Sequence, residues 1–178
     1  MKFFKNRVVA LILCLLIVVG ATLLNTHVKF GALCRELANT FYDDDGIAQQ
    51  LVTLQAEATR LASVAEKNGL DAAELTAAAE ELQRCLSRGD AGAARFYACY
   101  DALCRELSAM EQSLLSKALS AEDAEAVSLC LTQIHTAQAK IAASSYNENV
   151  RDFLQKYDRF PTNLLADLAD VPMPEEFA

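Results

Sequence analysis

A run of uncharged, mostly apolar residues from Val8 to Leu24, VVALILCLLIVVGATLL, constrains this chain more than any other feature. As an α-helix rising about 1.5 Å per residue it is about 25 Å long, enough to cross the hydrocarbon layer of a bilayer. Lys2, Lys5 and Arg7 precede it and Val19-Gly20-Ala21 offers a small-residue cleavage point, so a secretory signal peptide is the competing reading. The uncleaved anchor is preferred, because apolar residues continue past Ala21 and helical spacing carries on through Phe30, Cys34, Leu37 and Phe41. One rod is then expected to leave the membrane and enter the folded body. Basic residues ahead of the run place the amino terminus in the cytoplasm and the body outside it; Lys29 and Arg35, on the far side, pull the other way.

The three leading basic residues mask how acidic the rest is. From Val8 onward the remaining 13 basic side chains face 24 acidic ones, a net −11. A body of that charge repels nucleic-acid phosphates and anionic headgroups, and no basic patch interrupts it, so nucleic acid is excluded as a partner.

Beyond the anchor, the spacing of apolar residues predicts an all-α fold. Ile47, Leu51, Leu54, Ala58, Leu61 and Ala65 recur at alternating four and three, as do Phe96, Tyr100, Leu103, Leu107, Met110 and Leu114. Leu75, Ala79, Leu82 and Leu86 form a shorter stripe, bounded by Asn68-Gly69 and Arg88-Gly89-Asp90, which leaves open two helices or one bent one. Asp71 with Glu74, and Ser120 with Asp123, mark helix starts. Val127, Leu131, Ile134, Gln138 and Ile141, followed by Val150, Phe153 and Tyr157, predict one last long helix from about Ala121 to Tyr157. With 53% hydrophobic residues, only three Pro and six Gly, few breakers oppose these helices. Asp43-Asp44-Asp45-Gly46 reads as a corner whose carboxylates cap the next helix; a calcium loop would require a bidentate Glu that is missing.

The expected architecture is an antiparallel up-and-down bundle of about four long helices behind one amino-terminal transmembrane helix, with parallel coiled-coil assembly as the competing use of the same seams. Its boundaries are a basic tail at 1–7, the anchor at 8–24, the bundle at 25–171 and a tail at 172–178. Pro161 ends the long helix at Phe160, a short helix from Asn163 to Leu168 folds back with Asn163 as its cap, and Pro172 and Pro174 release the tail.

Tyr146-Asn147, then Phe160-Pro161-Thr162-Asn163-Leu164-Leu165, then Phe177, all behind an apolar amino-terminal run, together resemble the closing segment of the LemA family, which spans Lys140 to Phe177 here. A fainter likeness lies at Asp45 to Val52. Phe153-Leu154 stands where the family has a second Tyr-Asn pair, and Gln138-Ala139-Lys140-Ile141 where it has glutamate, asparagine, arginine, isoleucine. The resemblance implies a membrane protein whose soluble part is an antiparallel helical bundle, with Tyr146, Asn147, Phe160, Pro161, Asn163, Leu164 and Phe177 as structural motif residues; it implies no reaction. Read as side chains alone, Tyr146, Val150, Phe153 and Tyr157 share a helix face suited to a core, and Asn147 is placed to hydrogen-bond a neighbouring helix or the returning tail.

No catalytic, cofactor or metal constellation stands out. His27 sits at the membrane boundary and His135 beside a seam, and no Gly-flanked Ser or Cys-His pair supplies a nucleophile with a base. Cys99 and Cys104 are five apart, on different faces of a helix, and the acidic groups Glu74, Glu80, Glu81 and Glu122, Asp123, Glu125 lack the Glu-x-x-His pattern of di-iron bundles. Cys34, Cys85, Cys99, Cys104 and Cys130 are an odd number in the body, so they read as buried apolar thiols, with a redox or metal role as the alternative. The expected function is a non-enzymatic membrane scaffold that uses no cofactor, with a protein partner or self-association. A small-molecule sensor acting through another protein is the alternative, although a small-molecule partner is not favoured.

Overall fold

The computed structural model describes residues 7–88, 92–157, 159, 162–168 and 173–178. Among these residues the chain is all-helical, without strands: α1 (Arg7–Tyr42), α2 (Ile47–Lys67), α3 (Ala73–Arg88), α4 (Ala93–Leu115), α5 (Ala121–Ala142), α6 (Tyr146–Tyr157) and α7 (Thr162–Leu168). They divide between two compact units, one comprising Met1–Ala38 with Asn149–Pro174, the other Asn39–Glu148 with Glu175–Ala178.

In the first unit, the early part of α1 is long and apolar enough to cross a membrane. An 18-residue window there has mean hydropathy 2.5 and none of it is buried. Polar side chains in this stretch bond to their own helix: Thr22 donates to the Val18 carbonyl at 2.8 Å and Thr26 to that of Thr22 at 2.9 Å. Further along, Phe30 is buried edge-on to Phe153 (5.5 Å between centroids) and Tyr157 (4.8 Å), with Ala166 of α7 fully enclosed and Leu33, Cys34, Leu37, Leu154 and Met173 around them. Asn163 does not precede α7 as a cap: it lies in the first turn, where its Oδ1 accepts from the Leu164 N–H at 2.8 Å. Phe160 and Pro161, the expected helix stop, lie outside the described residues.

In the second unit, α2 packs against α3 and α5 and touches α4, while α3 also packs on α4. This central role follows from its sequence. The predicted seam from Ile47 to Ala65 is at most 2% exposed, and Ala48 and Ala62 extend burial to a wider arc, so α2 has two apolar flanks with small residues that let neighbours approach. Glu57 is enclosed on this helix and is held by Arg60 at 2.8 Å. Exposed pairs such as Arg84–Glu81 and Arg105–Asp101 contribute about 0.5 kcal/mol each at most, so burial of the seams dominates.

The breaks between helices have local causes. Gly69 has φ +72°, a left-handed conformation that favours glycine; its N–H donates to the Glu66 carbonyl at 2.9 Å and that of Leu70 to Ala65 at 2.9 Å, which closes α2 and separates it from α3. Asp71 Oδ1 accepts from the Ala73 N–H at 3.0 Å at the start of α3. The corner after α1 departs from expectation: no carboxylate caps α2. Its N-cap is the buried Gly46, whose N–H donates to the Asp43 carbonyl at 2.7 Å, so backbone closure replaces the side-chain cap. The single helix expected from Ala121 to Tyr157 is two. Ser144 Oγ accepts from the Tyr146 N–H at 3.3 Å, giving the chain a hydrogen bond that competes with the helical one and restarts it as α6.

Ser120 caps α5 as its spacing predicted, accepting from the Asp123 N–H at 3.1 Å. Asp123 is also the centre of a clamp: its carboxylate accepts from Lys67 at 2.7 Å, Asn68 at 3.3 Å and Ser120 at 2.9 Å, tying the end of α2 to the start of α5. The Lys67 hydrogen bond, with those of Ser120 and Asn68, holds the carboxyl below its ordinary 3.8, and Asp123 in turn raises Lys67 above 10.5. A depressed carboxyl stabilises the fold above its unfolded value and loses that contribution as pH falls through the folded one; a raised lysine keeps its contribution until pH rises through the folded value. The wild type is therefore expected to outlast Asp123→Asn in urea by a constant margin between these limits. That margin should shrink below pH 3.8, as read from unfolding midpoints of both proteins across pH.

Candidate functional site

Of the seven motif residues, Tyr146, Asn147 and Phe177 come together in the second unit. Asn163 and the exposed Leu164 belong to α7 in the first, and Phe160 and Pro161 lie outside the described residues. The assembled three form a clasp that captures the carboxyl-terminal tail. Asn147, in the first turn of α6, donates from Nδ2 to the Phe177 carbonyl at 2.7 Å and accepts on Oδ1 from the Phe177 N–H at 2.7 Å. A side-chain amide carries a donor and an acceptor side by side, so it pairs with the N–H and C=O of a single residue as a neighbouring strand would, and this pairing fixes the amide orientation. Of the two partners its sequence position allowed, Asn147 takes the tail.

Tyr146 adds a third bond, its hydroxyl donating to the Glu175 carbonyl at 2.9 Å. Burial, with Glu175 nearby, pushes the Tyr146 phenol above its ordinary 10, which keeps the proton it donates. The Phe177 ring, 4% exposed, stands perpendicular to Tyr97 at 5.3 Å and lies 5.6 Å from Tyr100 and 5.9 Å from Phe41. Phe41 also meets Tyr146 at 5.2 Å and Phe96 at 5.5 Å, so one aromatic cluster links the end of α1, α4, the start of α6 and the tail. The amide holds the Phe177 backbone and the rings enclose its side chain, so the tail is fixed by both.

Helical spacing places Phe41 and Tyr100 in apolar stripes and does not single out Tyr97. The available signal was the i, i+3 pair Tyr97–Tyr100 flanking the Phe96 seam, which puts two phenols on the edge of a buried face.

A second feature is a groove of about 400 Å³ between the end of α4 and the first half of α5. Leu114, Leu115, Leu119, Val127 and Leu131 line its apolar part, with Glu111, Lys117 and His135 at its rim. Leu115 is 71% exposed, and His135 Nε2 lies 3.5 Å from a Glu111 oxygen.

Two of the covered thiols are held protonated. Burial raises Cys104, which accepts from Gln138 at 3.3 Å, and burial together with Glu57 pushes Cys130 up to about 11. Cys85 and Cys99 meet across α3 and α4, with Glu81 alongside. Spacing rules for close Cys pairs on one helix look past such a meeting. Comparison of the chain with protein-family models, with curated proteins and with solved structures returns no match.

Proposed function

We propose that this chain is a membrane-anchored, non-enzymatic helical-bundle protein of the LemA type that serves as a scaffold or interaction module at the cell envelope. One observation carries the reading: Leu11, Leu13, Leu15, Leu16, Val18 and Leu24 of α1 are all exposed, so the helix is apolar around its whole circumference. A protein partner covers one face of a helix, whereas lipid covers every face. The family part of the proposal rests on Tyr146-Asn147, Asn163-Leu164 and Phe177 in combination. In this reading α2 to α5 form the antiparallel bundle, supported by their short connections and by the packing of α3 and α5 on α2. The basic residues before the run put the amino terminus in the cytoplasm and the body beyond the membrane.

An alkaline wash of membranes from expressing cells tests the anchor: the chain is expected to stay in the pellet, and its release into the wash would count against the reading. Cross-linking in native membranes tests the scaffold. A reproducible protein neighbour or a second copy is the expected adduct, and a chain that yields neither would sink it. The α4–α5 groove favours a second reading, a sensor that accepts a small apolar molecule bearing one charged group; a single compound that raised the unfolding midpoint of the body would favour it over the scaffold.

A further inference from the structure

We propose that Cys85 and Cys99 form an intramolecular disulfide that staples α3 to α4. The two Sγ atoms lie 2.7 Å apart, closer than unbonded sulfurs pack and a small side-chain adjustment from the bond length of about 2.05 Å. Cys85 is 1% exposed in the last turn of α3, and Cys99 is 9% exposed in the second turn of α4, so two helices that pack together present the pair to each other, with Glu81 alongside.

A metal is the competing explanation, because a Glu81 carboxylate oxygen and the two sulfurs all lie within 4.8 Å of one another. Zinc held at about 2.3 Å from two thiolates with a tetrahedral angle separates the sulfurs by about 3.8 Å. The observed spacing is far shorter, and it fits a bond between the sulfurs better than an ion between them.

The oxidant required is a disulfide, either a low-molecular-weight one such as oxidised glutathione or the active disulfide of a thiol oxidase. One cysteine loses its proton and attacks the oxidant, forming a mixed disulfide and releasing one thiolate. The other cysteine, also deprotonated, attacks the protein-side sulfur and releases the second thiolate. The released thiolates take up the two protons, so two protein thiols become one disulfide while the oxidant is reduced to two thiols. Burial, the neighbouring Cys85 and the Glu81 carboxylate push Cys99 up to about 12 in the folded protein. The packed, reduced pair is therefore slow to attack an oxidant, so the first mixed disulfide forms most readily before α3 and α4 close, and their packing then brings the second thiol to it.

This inference stands independently of the membrane reading, and its test needs no membrane. The full chain in detergent is reduced, unfolded, and refolded with a mixture of reduced and oxidised glutathione; a folded, reduced sample is held in excess oxidised glutathione alongside. Each is alkylated without reduction and its peptides are mapped by mass. The expected product links Cys85 to Cys99 with Cys14, Cys34, Cys104 and Cys130 alkylated, quickly on refolding and slowly in the folded sample. The linked chain should melt roughly 10 °C above its reduced form, a difference that the Cys85→Ala/Cys99→Ala variant lacks. Alkylation of both residues in both samples, a link from either one to another cysteine, or thiols shielded by stoichiometric zinc would overturn the proposal.

Discussion

Replacing Gly46 with Ala is expected to lower the stability of the second unit by about 3 kcal/mol, although it adds only one methyl group. The backbone angles at Gly46, φ −71° and ψ 171°, suit any residue, so conformational strain is not the reason. The reason is space. A Cβ there would stand 2.6 Å from the Phe41 carbonyl oxygen and 2.9 Å from those of Asp43 and Thr40. All three are backbone atoms at the closing turn of α1, so no side chain can rotate away; the corner must open and strain the 2.7 Å bond from Gly46 to Asp43. Phe41, whose carbonyl is the nearest obstacle, is also a wall of the tail clasp. Gly46→Ala should therefore both lower the urea midpoint, followed by helical circular dichroism, and expose the tail to carboxypeptidase. An unchanged midpoint would mean that the corner yields freely.

Phe177→Ala should cost a similar amount, about 3 kcal/mol, by emptying a pocket walled by Phe41, Tyr97 and Tyr100. If the empty tail detaches, the loss stops at the free energy that holds it. Asn147→Leu separates the polar part of the clasp from the ring. It removes both bonds to Phe177 and leaves a peptide N–H and C=O without that partner, for an expected cost of about 2 kcal/mol. The two changes act on one contact, so the double variant should lose clearly less than their sum. Full additivity in a double-mutant cycle would show that ring and amide do not work together. Leu164→Ala, at an exposed position of α7, should shift the midpoint little.

The difference between these sites shows what was legible in advance. The α2 seam from Ile47 to Ala65 and much of the α4 seam from Phe96 to Leu114 were readable because a helix repeats every 3.6 residues and its buried face repeats with it. On α3 the stripe held at Leu75, Ala79 and Leu82, but its end was misplaced: Cys85, one residue earlier, is buried where Leu86 is only half-covered. The three aspartates mark the corner at Gly46 but not its mechanism, because their carboxylates suggest caps where the turn instead closes through the backbone. The long last helix failed at Ser144, a residue whose hydroxyl competes with a helical hydrogen bond and leaves no trace in apolar spacing.

At the clasp, Tyr146, Asn147 and Phe177 stood out as motif residues, whereas Phe41, Tyr97 and Tyr100 did not, since nothing in their local spacing says that a tail returns to them. By itself the order of residues determined that the chain is helical, which face α2 and most of α4 bury and where one rod is greasy all round, because neighbours within a few positions set those properties. Which distant groups meet, Asn147 with Phe177 thirty residues on and Cys85 with Cys99 fourteen on, was decided only when the helices packed, because side-chain partnership depends on the path of the backbone between them.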